Sequence, residues 1–187
     1  MSILDGFATS MLIFIPVEID DVPEIHEIRT NRKKNYLTQI DTSIEKQYKY
    51  FHEYKKRNAL KKEVYLKIKN KKNNSTCGFV RITNFLESYS LGWESLIIKE
   101  RTPAPIGIEI CFSFYFLTFD HLKRSILGPW LVTDKNIHMM KIHAHMGFVT
   151  LVDKINGASV LIVMRSTYEE RKSKFLTWGF ANEFHEN

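Results

Sequence analysis

The period of the apolar positions changes several times along the chain, and each change predicts an element. Residues 11–17 form a short apolar run followed by Glu18, Asp20 and Asp21. That pattern predicts a strand leading into a helix N-terminus, where carboxylates suit the helix dipole. Val22, Ile25 and Ile28 keep helical spacing to about Arg32, with Pro23 tolerated in the first turn. Residues 31–40 are polar and read as a loop. Thr42 and Glu45 have capping-box spacing and start a second helix that runs to about Ala59, with Ile44, Tyr48, Phe51 and Tyr54 on one side and lysines on the other. Val64, Leu66 and Ile68 then alternate with Tyr65, Lys67 and Lys69, as a half-buried strand would. Residues 71–76 make a turn, 77–83 the returning strand, 84–90 a connection and 91–98 a further strand.

Residues 99–107, Lys-Glu-Arg-Thr-Pro-Ala-Pro-Ile-Gly, carry two prolines and read as irregular. Residues 108–122 are apolar nearly all the way round, which predicts a central, buried helix. Residues 125–132 are strand-like, with Gly128 and Pro129 marking a bulge or an edge. A short helix over 136–146 is stopped by Gly147 in a left-handed conformation. Two closing strands, 148–152 and 160–164, flank an Asn156-Gly157 turn. Residues 167–174 form a charged terminal helix or extension. No repeat, linker or low-complexity block interrupts residues 1–187, so a single α/β domain is expected.

Composition narrows the setting. Cys77 and Cys111 are the only cysteines, too few for a disulfide framework or a cysteine metal site, and a reducing cytoplasmic location is expected. Asp5 stands where a secretory leader would be positive, and the run at 11–17 is too short to span a bilayer, so neither export nor membrane insertion is expected. The net charge of +6 is uneven: between Lys46 and Lys72 there are eleven Lys or Arg against Glu53 and Glu63. Only one of the eleven is Arg, and no glycine interleaves them. Most of this basic charge therefore reads as a solvated helix face and a hairpin tip, and nucleic acid is not the expected partner.

The order strand, Pro- and Gly-bearing loop, buried helix, strand, short helix, Gly-Phe resembles the acyl-CoA-binding core of the GNAT acyltransferases. The resemblance implies an α/β (α+β) fold with a mixed, mostly antiparallel central sheet flanked by helices, acyl-CoA bound at a strand-loop-helix, and acetyl-CoA as cosubstrate. In that family, backbone N–H groups at a helix N-terminus hold the CoA pyrophosphate, which unsatisfied donors and the helix dipole favour. The matching loop here is 101–107, opening a helix from Ile108, and the implied CoA-binding residues are Ile97, Ile98, Lys99, Arg101, Thr102, Ala104, Ile106, Gly107 and Ile108. The second match is 136–148, Asn-Ile-His-Met-Met-Lys-Ile-His-Ala-His-Met-Gly-Phe, an Asn followed eleven residues later by Gly and then Phe. It implies that Asn136 lies near the pantetheine or phosphate end of CoA.

Two features depart from the family pattern. The phosphate loop usually has more glycines, whereas Pro103 and Pro105 here remove two donors; Arg101 and the N–H groups of Ala104, Ile106, Gly107 and Ile108 must compensate. His143 stands where the family often has a Tyr that protonates the departing thiolate, a task an imidazolium can also perform. Glu94, on the strand before the loop, and Glu109, at the start of the buried helix, are the candidate bases for the attacking ammonium, and a water chain is the alternative to both. His143 and His145 are two apart and point to different sides of a helix, and His138 completes no tetrahedral set, so no metal is expected.

Ile97 to Lys99, Thr102, Pro103 and His143 also resemble a subset of the family associated with bacterial surface-polysaccharide synthesis. The resemblance extends upstream to Tyr36-Leu37 and the helix from Ser43. It implies a nucleotide-linked amino sugar as the amine acceptor, in a pocket where Arg29, Asn31, Tyr36 and Trp93 contact it. Acetylation of a protein N-terminus, acetylation of an antibiotic amine and a catalytically silent CoA-binding module are the alternatives. A cationic antibiotic would call for an acidic pocket, whereas these residues make a mixed or basic one. A homodimer is compatible with all of these readings.

Overall fold

The computed structural model describes residues 5–30, 43–84, 88–146 and 149–176. Eight strands form one sheet in the order β1-β2-β3-β4-β5-β6-β8-β7. They are β1 (Phe7–Ala8), β2 (Leu12–Pro16), β3 (Glu63–Asn70), β4 (Thr76–Thr83), β5 (Ser90–Ile98), β6 (Ile126–Thr133), β7 (Val149–Ile155) and β8 (Ala158–Met164). Among the described residues five α-helices accompany them: α1 (Val22–Thr30), α2 (Ile44–Ala59), α3 (Ala104–Phe116), α4 (Ile137–Met146) and α5 (Arg165–Leu176). Every pairing is antiparallel except β5 with β6. The expected mixed, mostly antiparallel sheet with flanking helices is the observed one.

The sheet separates two apolar layers. Val64, Leu66 and Ile68 of β3 join the layer that holds α3, while Tyr65 joins the layer under α1 and α2 with Ile25, Phe51 and Tyr54. The half-buried strand expected from the alternation is therefore covered on both faces. Tyr65 is buried under α2, where its N–H donates to the Tyr54 hydroxyl at 3.2 Å. Lys67, two residues on, is held by Asp21 at 2.6 Å and Glu24 at 3.5 Å. The acidic residues around the start of α1 thus serve lysines of neighbouring elements: Lys55 reaches Glu18 at 3.0 Å and Lys99 reaches Glu24 at 2.6 Å. The pairs of Lys55 and Lys67 offset part of the basic charge between Lys46 and Lys72.

Helix α3 is central and buried, as its all-round apolar pattern predicts. Ile110, Phe112 and Phe114 are fully buried, each contributing about 2 kcal/mol by removal from water. Its start differs from the expected one. The helix begins at Ala104, with Pro103 as N-cap and Pro105 inside the first turn, and Gly107 is a helical residue. A proline at these positions lacks an N–H that the first turn would leave unpaired in any case, and its fixed φ suits a helix. The helix also ends earlier, passing at Leu117–His121 into a π-helical turn.

Two bulges bend the middle of the sheet. Between Phe79 and Arg81 of β4 the partners on β5 jump from Ile97 to Glu94, and Ser95 has a φ of 52°. The extra residue inverts the side-chain alternation: Leu91 and Trp93 face the α3 layer, but Ile97 faces the α1–α2 layer. On β6 a matching irregularity lies between Leu127 and Trp130, where Gly128 has a φ of 112°, as the Gly128-Pro129 pair foreshadows. The Asn156-Gly157 turn has both residues at positive φ, 49° and 75°, which joins β7 to β8. Gly147 and Phe148 lie outside the described residues.

Candidate active site

Strands β5 and β6 run parallel, but only Ser90 with Ile126 and Leu91 with Leu127 are paired. Beyond these pairs the strands part. The main-chain groups of their facing edges then have no ladder partner in each other, and a cavity of about 610 Å³ opens there. The volume suits a small-molecule site. Both bulges lie against it: Ser95 and Leu96 on one strand, Pro129 and Trp130 on the other. Asn136, just before α4, and Met139 and His143 of α4 close one wall, and Arg29, Arg81 and Glu94 reach it from α1, β4 and β5.

Aromatic rings form the depth of this cavity. The Trp93 and Trp130 centroids are 5.5 Å apart, and His143 lies 5.5 Å from Trp130 and 6.3 Å from Trp93. His143 is 2% exposed, and burial lowers its pKa to about 4. The ring is therefore neutral at pH 7, and the imidazolium expected from the sequence is not the form present; desolvation in an apolar cage disfavours the charge. Its Nδ1 lies 3.4 Å from the hydroxyl of Tyr115, and its Nε2 has no hydrogen-bond partner among the described residues. The indole N–H groups of Trp93 and Trp130 also lack a partner there.

The charged rim is a chain of alternating signs. Arg81 donates to Glu94 and to the Tyr50 hydroxyl (2.8 Å), and lies 3.6 Å from Glu63, which also binds Arg57 at 2.9 Å. Glu94 is about half exposed. Arg29 has no carboxylate partner among the described residues.

Comparison with solved structures decides the fold. Apo FdhC, a nucleotide-linked sugar GNAT, matches with a TM-score of 0.77 at 22% identity, covering 91% of this chain and 96% of that one. This chain has the GNAT acetyltransferase fold. A spermidine N-acetyltransferase from Vibrio cholerae in complex with CoA and spermine matches with a TM-score of 0.67 at 16% identity, covering 86% of this chain and 99% of that one. A dodecameric form of the same enzyme matches at 0.64 and 16% identity, over 87% and 98%. No protein-family model and no curated protein matches the sequence.

Within the GNAT fold the residues singled out in the sequence fall into separate groups. Arg29, Trp93, Glu94, Asn136 and His143 line the cavity between the parted strands. Asn136 caps α4, its side-chain oxygen accepting from the Met139 N–H at 3.2 Å. Ile98, Lys99, Arg101 and Thr102 instead border a second cavity of about 650 Å³, with the β3–β4 turn and Glu27 and Ile28 of α1. Thr102 donates to the Cys77 carbonyl at 3.1 Å. Asn31 and Tyr36 lie outside the described residues.

Several expected site residues have other duties. Ile97 is fully buried in the core under α1 and α2, because the Ser95 bulge turns it there. The N–H groups of Ile106 and Gly107 both go to the Pro103 carbonyl, at 3.0 and 3.4 Å, and Ile108 lies a full turn inside α3. The anion cradle expected at 101–107 is thus reduced to the Ala104 N–H and the Arg101 side chain, which has no ion-pair partner among the described residues. Glu109 is not among the residues lining either cavity. It is fully buried, and its carboxylate accepts from the hydroxyls of Thr9 at 2.9 Å and Ser10 at 3.2 Å, which ties α3 to the β1–β2 turn. The sequence reading missed Tyr115, Trp130 and the Ser95 bulge. Tyr115 is hidden in a uniformly apolar helix, and no glycine marks the β5 bulge.

Proposed function

We propose that the protein is an acetyl-CoA-dependent N-acetyltransferase whose acceptor is the primary amine of a nucleotide-linked amino sugar. The observation that carries this reading is the parting of β5 and β6 beyond Leu91 and Leu127 onto a cavity that holds Glu94 and His143. The unpaired strand edges fit the amide-bearing arm of acetyl-CoA, with Asn136 and the start of α4 beside them. When bound, acetyl-CoA supplies a thioester carbonyl open to attack and a thiol leaving group. Glu94, alone or through water, takes the proton that the amine nitrogen sheds as its bond to the carbonyl carbon forms. His143 offers Nε2 to the negative charge that develops as the C–S bond breaks, as a neutral donor. Glu109 has no part in this scheme.

The charges support this acceptor class. Among the described residues Arg29 has no carboxylate partner, and Glu94, a carboxylate of the cavity, is already held by Arg81. A polyamine needs unpaired carboxylates, whereas a diphosphate-linked sugar is served by an available guanidinium. The similar FdhC is a nucleotide-linked sugar GNAT, which supports the same choice. The experiment is thiol release from acetyl-CoA with a panel of nucleotide-linked amino sugars, spermidine, an N-terminal peptide and an aminoglycoside. Release with a nucleotide-linked sugar alone is expected. Release with spermidine alone would replace the acceptor, and release with no amine would remove the enzymatic reading.

A further inference from the structure

We propose that Tyr115 is a positioning residue that holds His143 in the tautomer with its proton on Nε2, so that the ring keeps its N–H donor on the nitrogen that Tyr115 does not meet. This rests on the reading of the cavity as an acyl-transfer site. Tyr115 comes from the last turn of α3 and His143 from α4, and both are buried. The hydroxyl lies 3.4 Å from Nδ1, at the long end of hydrogen bonding.

A neutral imidazole carries one proton, and the bond made by one nitrogen decides which nitrogen keeps it. Burial holds the Tyr115 hydroxyl well above its usual range, so the phenol stays protonated. Between a phenol and a neutral imidazole, the phenol is the stronger acid and the imidazole nitrogen the stronger base. The bond therefore runs from the Tyr115 O–H to Nδ1, and the ring proton sits on Nε2. Three N–H groups of residues that border the cavity are then buried without partners among the described residues: His143 Nε2, Trp93 Nε1 and Trp130 Nε1. An N–H on Nε2 suits an electron-rich atom that gains negative charge, and the ring does not suit a base, because the imidazole lone pair is turned to Tyr115.

Nitrogen-15 NMR of the full chain labelled at histidine tests this without any substrate. His143 signals are assigned by their loss in His143→Gln. The expected wild-type spectrum at pH 7 has a protonated-type Nε2 and an unprotonated-type Nδ1. In Tyr115→Phe the ring should relax to a mixture of tautomers, and kcat should fall about tenfold with the KM for acetyl-CoA nearly unchanged, as when an orienting contact is lost. A wild-type ring protonated on Nδ1, or a tautomer unaltered in Tyr115→Phe, overturns the proposal. If Tyr115→Phe does not fold, the wild-type spectrum decides alone. The expected spectrum in a protein that acetylates no amine would remove the enzymatic reading and leave the tautomer assignment standing.

Discussion

Leu91 and Leu127 are the last paired residues of the parallel strands, and the cavity begins where their ladder stops. A ligand that occupies the gap binds only the folded chain, since the two edges come together only there. Acetyl-CoA should therefore raise the melting temperature. At about a hundredfold excess over its dissociation constant the gain is roughly 2.7 kcal/mol, or about 5–10 °C for a chain of this size. A thermal-shift experiment that shows no change at millimolar acetyl-CoA would argue against the site.

His143→Ala should lower kcat by about a hundredfold or more while the acetyl-CoA-induced thermal shift persists. The side chain is one wall of a cage whose other walls are Trp93 and Trp130, so loss of the imidazole removes a donor and leaves most of the surface. Unchanged turnover would return His143 to a packing role.

The same residue predicts an acid limb in stability. Its folded pKa is depressed from 6.5 to about 4, so between these values the unfolded chain binds more protons than the folded one. The contribution is complete above pH 6.5, is lost progressively as pH falls to about 4, and amounts to about 3 kcal/mol. Stability of the wild type relative to His143→Gln, measured by urea unfolding from pH 8 to 4, should fall across that window. A constant difference would show that the ring titrates normally.

Glu94→Gln should lower kcat by about a hundredfold with folding retained, because its half-exposed carboxylate is bound to Arg81 at the surface. Glu109→Gln should act in the opposite way, destabilising the fold through the Thr9 and Ser10 bonds. Comparing kcat and melting temperature for the two variants separates the duties of the carboxylates.

Two glycines should respond differently to alanine. A Cβ at Gly107 would meet only Ile98 Cδ1 at 3.9 Å, so Gly107→Ala should fold and gain up to about 1 kcal/mol. A Cβ at Gly78 would overlap the Ile97 main-chain oxygen, so Gly78→Ala should lose stability markedly. Thermal unfolding of both variants checks the pair, and a destabilised Gly107→Ala would restore a special role for that position.

Local periodicity and turn chemistry made most elements legible. The apolar stripe of α2, the alternation in β3 and the Asn156-Gly157 turn are set by neighbours a few residues apart, and the order of elements resembled the GNAT fold only together with the loop at 101–107 and the spacing of 136–148. The start of α3 was not legible, because prolines break most helices yet are accommodated at the first turn, and only the folded backbone shows which applies.

The sequence by itself determined most of the elements, their order and a short list of groups fit for acyl transfer, Glu94 and His143 among them. Tertiary structure alone decided which of them meet. Glu94 and Glu109 are alike as carboxylates, but one borders the cavity and the other is bonded to Thr9 and Ser10. The Ile97 side chain lies in the core under α1 and α2 because one extra residue near Ser95 turned it over. The charge state of His143 was likewise a tertiary matter. A histidine at that position permits an imidazolium, and burial between Trp93 and Trp130 removes it, because desolvation depends on what surrounds the ring and not on its place in the chain.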